Sequence, residues 1–288
     1  MRYQFMQKEA ENFPIEKMAL IFQVSTSGYY GYIKRKTSFR DKENEKIVAL
    51  IEKIHQEGRY MYGSPRIHAK MLRLEVKCSR KRVARLMRKK GIVAKMRKSW
   101  KRTTKQGKRE AAPNLVKQKF TVEAPNRTWV SDITYIQTKE GWLYVSAILD
   151  LFSRKVVGLS MGERLDTCLI EKALQQAIYH RGRCNDLIHH SDRGSQYTSE
   201  EFRKISRDNG IILSMSSTGN CYDNAVAESF FHTLKTEHVY QQRFVTREEA
   251  KRSIFEYVEI FYNRQRAHSF LKYLSPEEYE TNWTKQAI

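Results

Sequence analysis

Between Val76 and Arg109 stand 16 lysines and arginines and not one aspartate or glutamate. A segment of that kind cannot close a core on itself, because uncompensated cations resist desolvation. At most, part of it lies as an amphipathic helix against something apolar. It divides the chain in two. Residues 1–119 carry 32 basic and 10 acidic side chains, whereas residues 120–288 carry 21 and 22. The formal net charge of +21 therefore belongs wholly to the first part. Solubility needs no single-sign block of this length. A polyanion, nucleic acid above all, is the expected partner.

The remaining composition narrows the class. With 288 residues, 40% of them hydrophobic, the chain can bury a real core, and wholesale disorder is excluded. No apolar run approaches the ~18–20 residues of a membrane span; the best, Val145 to Phe152, is broken by Asp150. Met1 to Phe13 lacks the apolar stretch of a signal peptide. A cytoplasmic protein with no membrane partner is expected. Cysteines stand at 78, 168, 184 and 221 without a CxxC pair, so neither zinc nor a disulfide framework is expected.

Ahead of the basic run the pattern is helical. Residues 1–40 read as a small helix-turn-helix-like segment: Ile15, Met18, Ala19 and Phe22 share a helix face, and Val24 to Ser27 supply turn and cap chemistry. Residues 41–95 read as a helical DNA-binding module. Ile47, Leu50, Ile51 and Ile54 make one stripe. Tyr62-Gly63-Ser64-Pro65-Arg66 starts a second helix with Ile67, Met71 and Leu72 inward. Ser79 caps a third, with Val83, Leu86 and Met87 on its apolar side and Gly91 at its end. The opposite side carries Arg80, Lys81, Arg82, Arg85, Arg88, Lys89 and Lys90, which suits a DNA groove. Lys95, Arg97 and Lys98 extend it. Residues 96–119 then read as a basic linker holding Trp100, which either stacks on a nucleotide or packs locally.

From residue 120 the pattern becomes α/β. Strands are predicted over Trp129–Ile136, Trp142–Leu151 and Lys155–Met161, with short connections that make a meander. Helix 166–180, strand 187–190, helix 199–209 and strand 211–214 follow, then helices over 224–240 and 246–263. That order predicts a mixed five-stranded sheet flanked by helices over residues 120–288.

Three acids stand out. Asp132 interrupts an apolar, β-branched strand, Asp192 follows a short strand, and Glu228 lies on a helix. Between Asp132 and Asp192 lie 59 residues, and between Asp192 and Glu228 lie 35. Two acids at the carboxyl ends of adjacent strands and a third on a packed helix can converge. Oxygen-only ligands suit Mg²⁺. Two such ions about 3.5–4 Å apart stabilise both oxygens of an in-line phosphoryl displacement.

Thr128 to Tyr135, His190 to Tyr197 and Ser217 to Phe231 resemble the DDE core of bacterial insertion-sequence transposases. Tyr62 to Ile67, Tyr262-Asn263-Arg264-Gln265-Arg266 and Ser275 to Tyr279 fit the same pattern. The chain is similar to the second-frame (OrfB) product of the family typified by insertion sequence three, whose core is akin to retroviral integrases. The resemblance implies an RNase H-like fold preceded by all-α modules. It implies that Asp132, Asp192 and Glu228 are catalytic and ligate Mg²⁺ or Mn²⁺, as two ions per site. Lys235, seven residues after Glu228 and on its helix face, is implied to hold a DNA phosphate. Asn224 shares that face and is either a DNA contact or a helix cap. His190 and Ser191 either touch DNA or belong to the core, and His189 is expected to be buried.

The implied reaction is cleavage at element ends followed by strand transfer. The implied partners are double-stranded DNA (terminal inverted repeats and target), the upstream first-frame product through a frameshift fusion, and at least one more copy of the chain on DNA. A nucleoid-associated place in a bacterial cytoplasm goes with them. Retroviral integrases carry paired His and paired Cys ahead of the core; this chain has neither, so its N-terminal reader is expected to be metal-free. Two other readings remain at this point: a catalytically inactive DNA-binding regulator, and a nuclease of the RNase H type.

Overall fold

The structure, a computed structural model, describes residues 1–34, 38–95, 112–116, 120–184, 186–216 and 224–287. Three short helices come first: α1 (Arg2–Lys8), α2 (Ile15–Ile21) and α3 (Thr26–Ile33). Ser25 caps α3 by accepting a hydrogen bond from the Gly28 amide at 3.0 Å. Met6, Met18, Ala19 and Tyr29 form a small core of their own.

Helices α4 (Phe39–Glu57), α5 (Ser64–Arg73) and α6 (Arg80–Lys89) follow. Ser38 and Ser79 cap α4 and α6 through the amides of Asp41 and Arg82, satisfying donors that the first turn leaves orphaned. Gly91, with φ +69°, ends α6. The amides of Gly91 and Ile92 bond back to the carbonyls of Arg88 and Met87, the two closures of a Schellman motif. Ile67 and Met71 are buried as expected, whereas Leu72 is half-exposed. A helix of ten residues turns only one stripe inward, and residue 72 lies beyond its edge.

The sheet has the order β3-β2-β1-β4-β5, with β1 (Thr128–Thr138), β2 (Gly141–Asp150), β3 (Val156–Gly162), β4 (Leu187–Ser191) and β5 (Ile211–Met215). The meander is antiparallel, and β4 and β5 join it in parallel. Helices α7 (Thr167–Arg181) and α8 (Glu200–Asp208) pack with Trp129, Ile148 and Leu187 on one face. Gly158 on β3 lets α7 approach: a Cβ there would overlap the Ala173 carbonyl.

Helices α9 (Ala225–Glu237) and α10 (Arg247–Glu256) cover the other face. The expected long helices are each shorter. After Glu237 the chain leaves α geometry at His238, whose ring is drawn inward to stack on Tyr257 at 4.7 Å. Beyond α10, residues Tyr257–Tyr262 form a π-helical turn, and the wider turn buries Tyr257, Val258, Phe261 and Tyr262 together. Helix α11 (Pro276–Ala287) closes the chain.

This second face carries the main departure from a string of modules. Ile47, Ile51, Met71, Val83 and Leu86 of the helical module share one hydrophobic cluster with Phe230, Leu234, Tyr257 and Val145 of the α/β part. The two parts are separate along the sequence and continuous in packing.

Candidate active site

Strand β4 pairs with β1 only through Thr128, Trp129 and Val130, opposite Ile188, His189 and His190. Asp132 lies two residues past the last pair on β1, and Asp192 directly follows β4. Asp132 thus lies within β1 just past the end of its pairing with β4, and Asp192 at the carboxyl end of β4, the side on which open α/β sheets place ligand sites. Helix α9 packs on β1 and β2 and carries Glu228 in its first turn.

The start of α9 is tied to the strand. Asn224 Nδ2 donates to the Ser131 carbonyl at 2.8 Å, beside Asp132, and Asn224 is buried. Its side chain makes no cap bond to its own helix. The side chain of Asn224 thus stitches α9 to β1 instead of capping its own helix.

Asp132 accepts a hydrogen bond from the Ile133 amide at 2.8 Å. Burial, then the charges of Asp192 and Glu228, push its carboxyl up to about 8, against the Ile133 hydrogen bond and Lys235. Asp192 accepts from the Gly194 amide at 3.0 Å, and burial pushes its carboxyl up against that bond. Gly194 has no room for a side chain without crowding, since a Cβ would lie 3.0 Å from Asp192 Oδ1. Burial lowers the Lys235 ammonium, opposed by Asp132.

The donor set is oxygen only, as a hard divalent cation requires. Acids that burial and mutual repulsion drive toward protonation are short of counter-charge even with Lys235 near, and such an ion would supply it. Glu228 is exposed at the rim. Among the described residues, no three acid, histidine or cysteine side chains cluster tightly enough to enclose an ion. Asp132, Asp192 and Glu228 supply the oxygen chemistry that such an ion takes.

Neighbouring residues are structural. His190 is fully buried and bonds through Nδ1 to Ser214 at 2.8 Å and through Nε2 to Ser216 at 3.3 Å. That arrangement ties β4 to β5 and keeps His190 from DNA. Ser191 is buried as well. His189 sits between Tyr197 and Phe202, and burial lowers it to about 3, so it stays neutral. Arg193 Nε donates to the Ser216 carbonyl at 2.7 Å, holding the loop behind Asp192.

On α6, Arg80, Arg85, Arg88 and Lys89 are exposed, and so is Lys95. Arg82 is different. It donates to both carboxylate oxygens of Glu43, at 3.1 and 2.8 Å, and to Asn44 Oδ1 at 3.0 and 2.9 Å. Its guanidinium joins α6 to α4 within the frame of the module. Arg97, Lys98 and Trp100 lie outside the described residues.

Sequence reading missed Tyr62 and Arg66 as a joint. The Tyr62 hydroxyl, fully buried, accepts from the Ala267 amide at 2.9 Å and donates to the Gln265 carbonyl at 3.3 Å. A large aromatic inside a polar turn was the available signal.

Known proteins bear the same parts in the same order. Residues 122–221 and 228–283 match the Integrase core domain family, and residues 41–100 match the HTH-like domain family. An integrase core behind a helix-turn-helix-like module defines a protein of the DNA-rearranging transposase and integrase class. The Insertion element IS600 uncharacterized 31 kDa protein of Shigella sonnei is 41% identical over 271 residues, covering 94% of this chain and all of that one. Transposase InsF for insertion sequence IS3A of Escherichia coli (strain K12) is 36% identical over 283 residues, covering 97% and 98%. The chain belongs to the IS3 family of insertion-sequence transposases and is a DNA transposase with an RNase H-like integrase core. Among solved structures, a simian T-cell lymphotropic virus intasome aligns at TM-score 0.46 and 15% identity over 80% of this chain and 74% of that one. The HTLV-2 integrase catalytic core domain in complex with magnesium aligns at TM-score 0.43 and 17% identity over 55% and 97%.

Proposed function

We infer that the chain cleaves DNA at the ends of its element and transfers the released 3′ ends, using Asp132, Asp192 and Glu228. The observation that carries this reading is the pair of acids where β1 and β4 part, Asp132 just past their last pair and Asp192 at the carboxyl end of β4, with α9 packed on β1. Mg²⁺ or Mn²⁺, two ions per site, supplies charge neutralisation and nucleophile activation when bound. Asp132 and Asp192 hold that charge in place. Glu228 closes over it from α9, and Lys235 positions a DNA phosphate beside it.

The first step is hydrolytic. A water oxygen attacks phosphorus, the P–O3′ bond breaks, and the products are a 3′-hydroxyl and a 5′-phosphate. In the second step that 3′-oxygen attacks another phosphodiester and displaces its O3′, giving up its own proton, so one ester replaces another. The sheet and α9 contribute preorganisation, the largest resource for a reaction governed by positioning and charge.

Exposed Arg80, Arg85, Arg88, Lys89 and Lys95, with Arg97 and Lys98, hold duplex backbone along the N-terminal module. Two ends must meet for transfer, so the working unit on DNA is at least a dimer, joined to the upstream first-frame product through a frameshift fusion. The nucleoid is where that unit works.

The decisive experiment follows labelled DNA carrying the element's terminal repeats. It compares Mg²⁺, chelator and Asp192→Asn, each with and without the fused upstream product. Metal-dependent nicking at the 3′ boundary with joined products, both lost in the variant, is expected. Binding without cleavage in every condition, fusion included, overturns the reading.

A further inference from the structure

The carboxyl half of β1 runs on past β4, and two aromatic rings stand exposed there. Tyr135 is 43% exposed and Trp142, on β2, is 46% exposed. In the register Tyr135 faces Tyr144 and Gln137 faces Trp142, so both rings lie on one face of the hairpin. Their centroids are 5.0 Å apart at an interplanar angle of 84°, edge to face. The Lys235 ammonium lies 5.1 Å from the centroid of Tyr135. That same ammonium feels the charge of Asp132. Lys235 thus joins the ledge to α9, the helix that carries Glu228.

Its surroundings are cationic. Lys139, at the hairpin tip, and Arg243 are exposed, and the Lys139 amide bonds to the Phe244 carbonyl at 3.2 Å, bringing the two segments together. Of the acids there, Glu163 pairs with the Arg247 guanidinium at 3.4 Å and Glu140 accepts from the Arg247 backbone amide at 2.7 Å. Arg247 Nε also donates to the Trp142 carbonyl at 3.0 Å, which holds the backbone beneath the ring. A cross-strand pair serving only the sheet needs neither half-exposed rings nor a cation against one of them. Aromatic faces set in a cationic rim are how proteins engage unpaired nucleotides, because every base offers a π face and every linkage a phosphate.

We propose that Tyr135 and Trp142 form a stacking platform for an unpaired base of the DNA strand beside the reacting phosphodiester, with Lys235 holding the adjoining phosphate. The proposal rests on the active-site reading above and adds to it the form of the substrate: DNA whose strands are locally separated where it meets the acids.

The test uses the full chain in chelator, so that no strand is cut. Two duplexes of one sequence are compared, one blunt and one with a three-nucleotide single-stranded tail containing 2-aminopurine. The wild type is expected to bind the tailed duplex about fivefold to a hundredfold more tightly, the range of one stacked base, and to quench the 2-aminopurine. Trp142→Leu and Tyr135→Leu keep apolar cover on the hairpin but remove the flat ring. Each should lose the tail preference and the quenching while retaining blunt-duplex affinity and a wild-type melting curve. Tyr135→Phe should retain all of them. Equal binding of both duplexes by the wild type overturns the proposal, as does a tail preference that survives both leucine variants. Cleavage of element ends with Mg²⁺ is scored separately. Cleavage without tail preference removes the platform alone, and tail preference without cleavage removes the active-site reading alone.

Discussion

Arg66 Nη1, on α5, lies 3.2 Å from Glu237 Oε1, in the last turn of the helix that carries Glu228. Glu237 is buried, and Arg266 grips it through two bonds of 2.7 Å while the Tyr257 hydroxyl donates at 3.0 Å. Arg59 with Glu256 and Arg73 with Glu278 add two further ion pairs between the helical module and the α/β part. The helix-turn-helix-like module and α9 thus share one buried charge cluster. Whatever moves one is felt by the other.

Removing the acid at the centre of that cluster leaves Arg266 buried without a partner. Glu237→Ala should cost about 3–5 kcal/mol of stability, the range for breaking a buried pair from one side. Arg66→Ala, at the more open edge, should cost about 1 kcal/mol or less. Urea unfolding of both variants checks the ratio. Equal small losses would mean that the cluster contributes little.

The cluster also sets an acid limit. Burial works to raise the Glu237 carboxyl, but hydrogen bonds from Arg266, the charges of Arg266 and Arg66, and the Tyr257 hydroxyl together hold it below its ordinary 4.5. A carboxyl depressed in the folded state stabilises fully above its unfolded value and loses that contribution as pH falls through the folded one. Stability should therefore decline below about pH 4.5. Glu237→Gln should flatten the decline in a melting series from pH 6 to pH 3.

Asn224 provides a positioning test. Asn224→Ala removes the bond to the Ser131 carbonyl and should lower the cleavage rate while leaving duplex affinity within about twofold, since a misplacement of 1 Å costs far more in rate than in binding. Lost stability should be about 1–3 kcal/mol. A parallel fall in DNA affinity would instead make Asn224 a direct DNA contact.

Glu228→Gln keeps the size of the side chain and removes its charge. Cleavage should vanish, and duplex binding should persist, if the basic helix α6 and not the acids holds the backbone as proposed. Filter binding of both proteins in chelator checks this. A matching loss of affinity would place Glu228 in the DNA interface.

On α6 the arginines should separate into two kinds. Neutralising Arg85, Arg88 and Lys89 together should flatten the slope of log affinity against log salt by about 0.9 for each phosphate that the helix no longer neutralises. Arg82→Ala should leave the slope nearly unchanged and lower the melting temperature, because its fork is spent on Glu43 and Asn44. An unchanged slope in the triple variant would take α6 out of the interface.

The sequence by itself determined the strands, the helical stripes and the serine caps, and it singled out three acids as candidates. Each follows from local periodicity, from turn chemistry, or from polar residues set where apolar ones are expected. The family could be read from motifs whose order and spacing survive without any knowledge of the packing. The tertiary structure alone decided which partner each polar side chain meets. Arg82 and Arg85 look alike on a basic helix, yet α4 stands beside one and solvent beside the other. Asn224 looks like a cap until the Ser131 carbonyl is within its reach. The shared core between the helical module and the sheet was equally out of view, because a stripe of apolar residues records that something covers it and not what. Pairings between residues nearly two hundred positions apart, such as Arg66 and Glu237, depend on how helices stack across the sheet, and no local pattern carries that information.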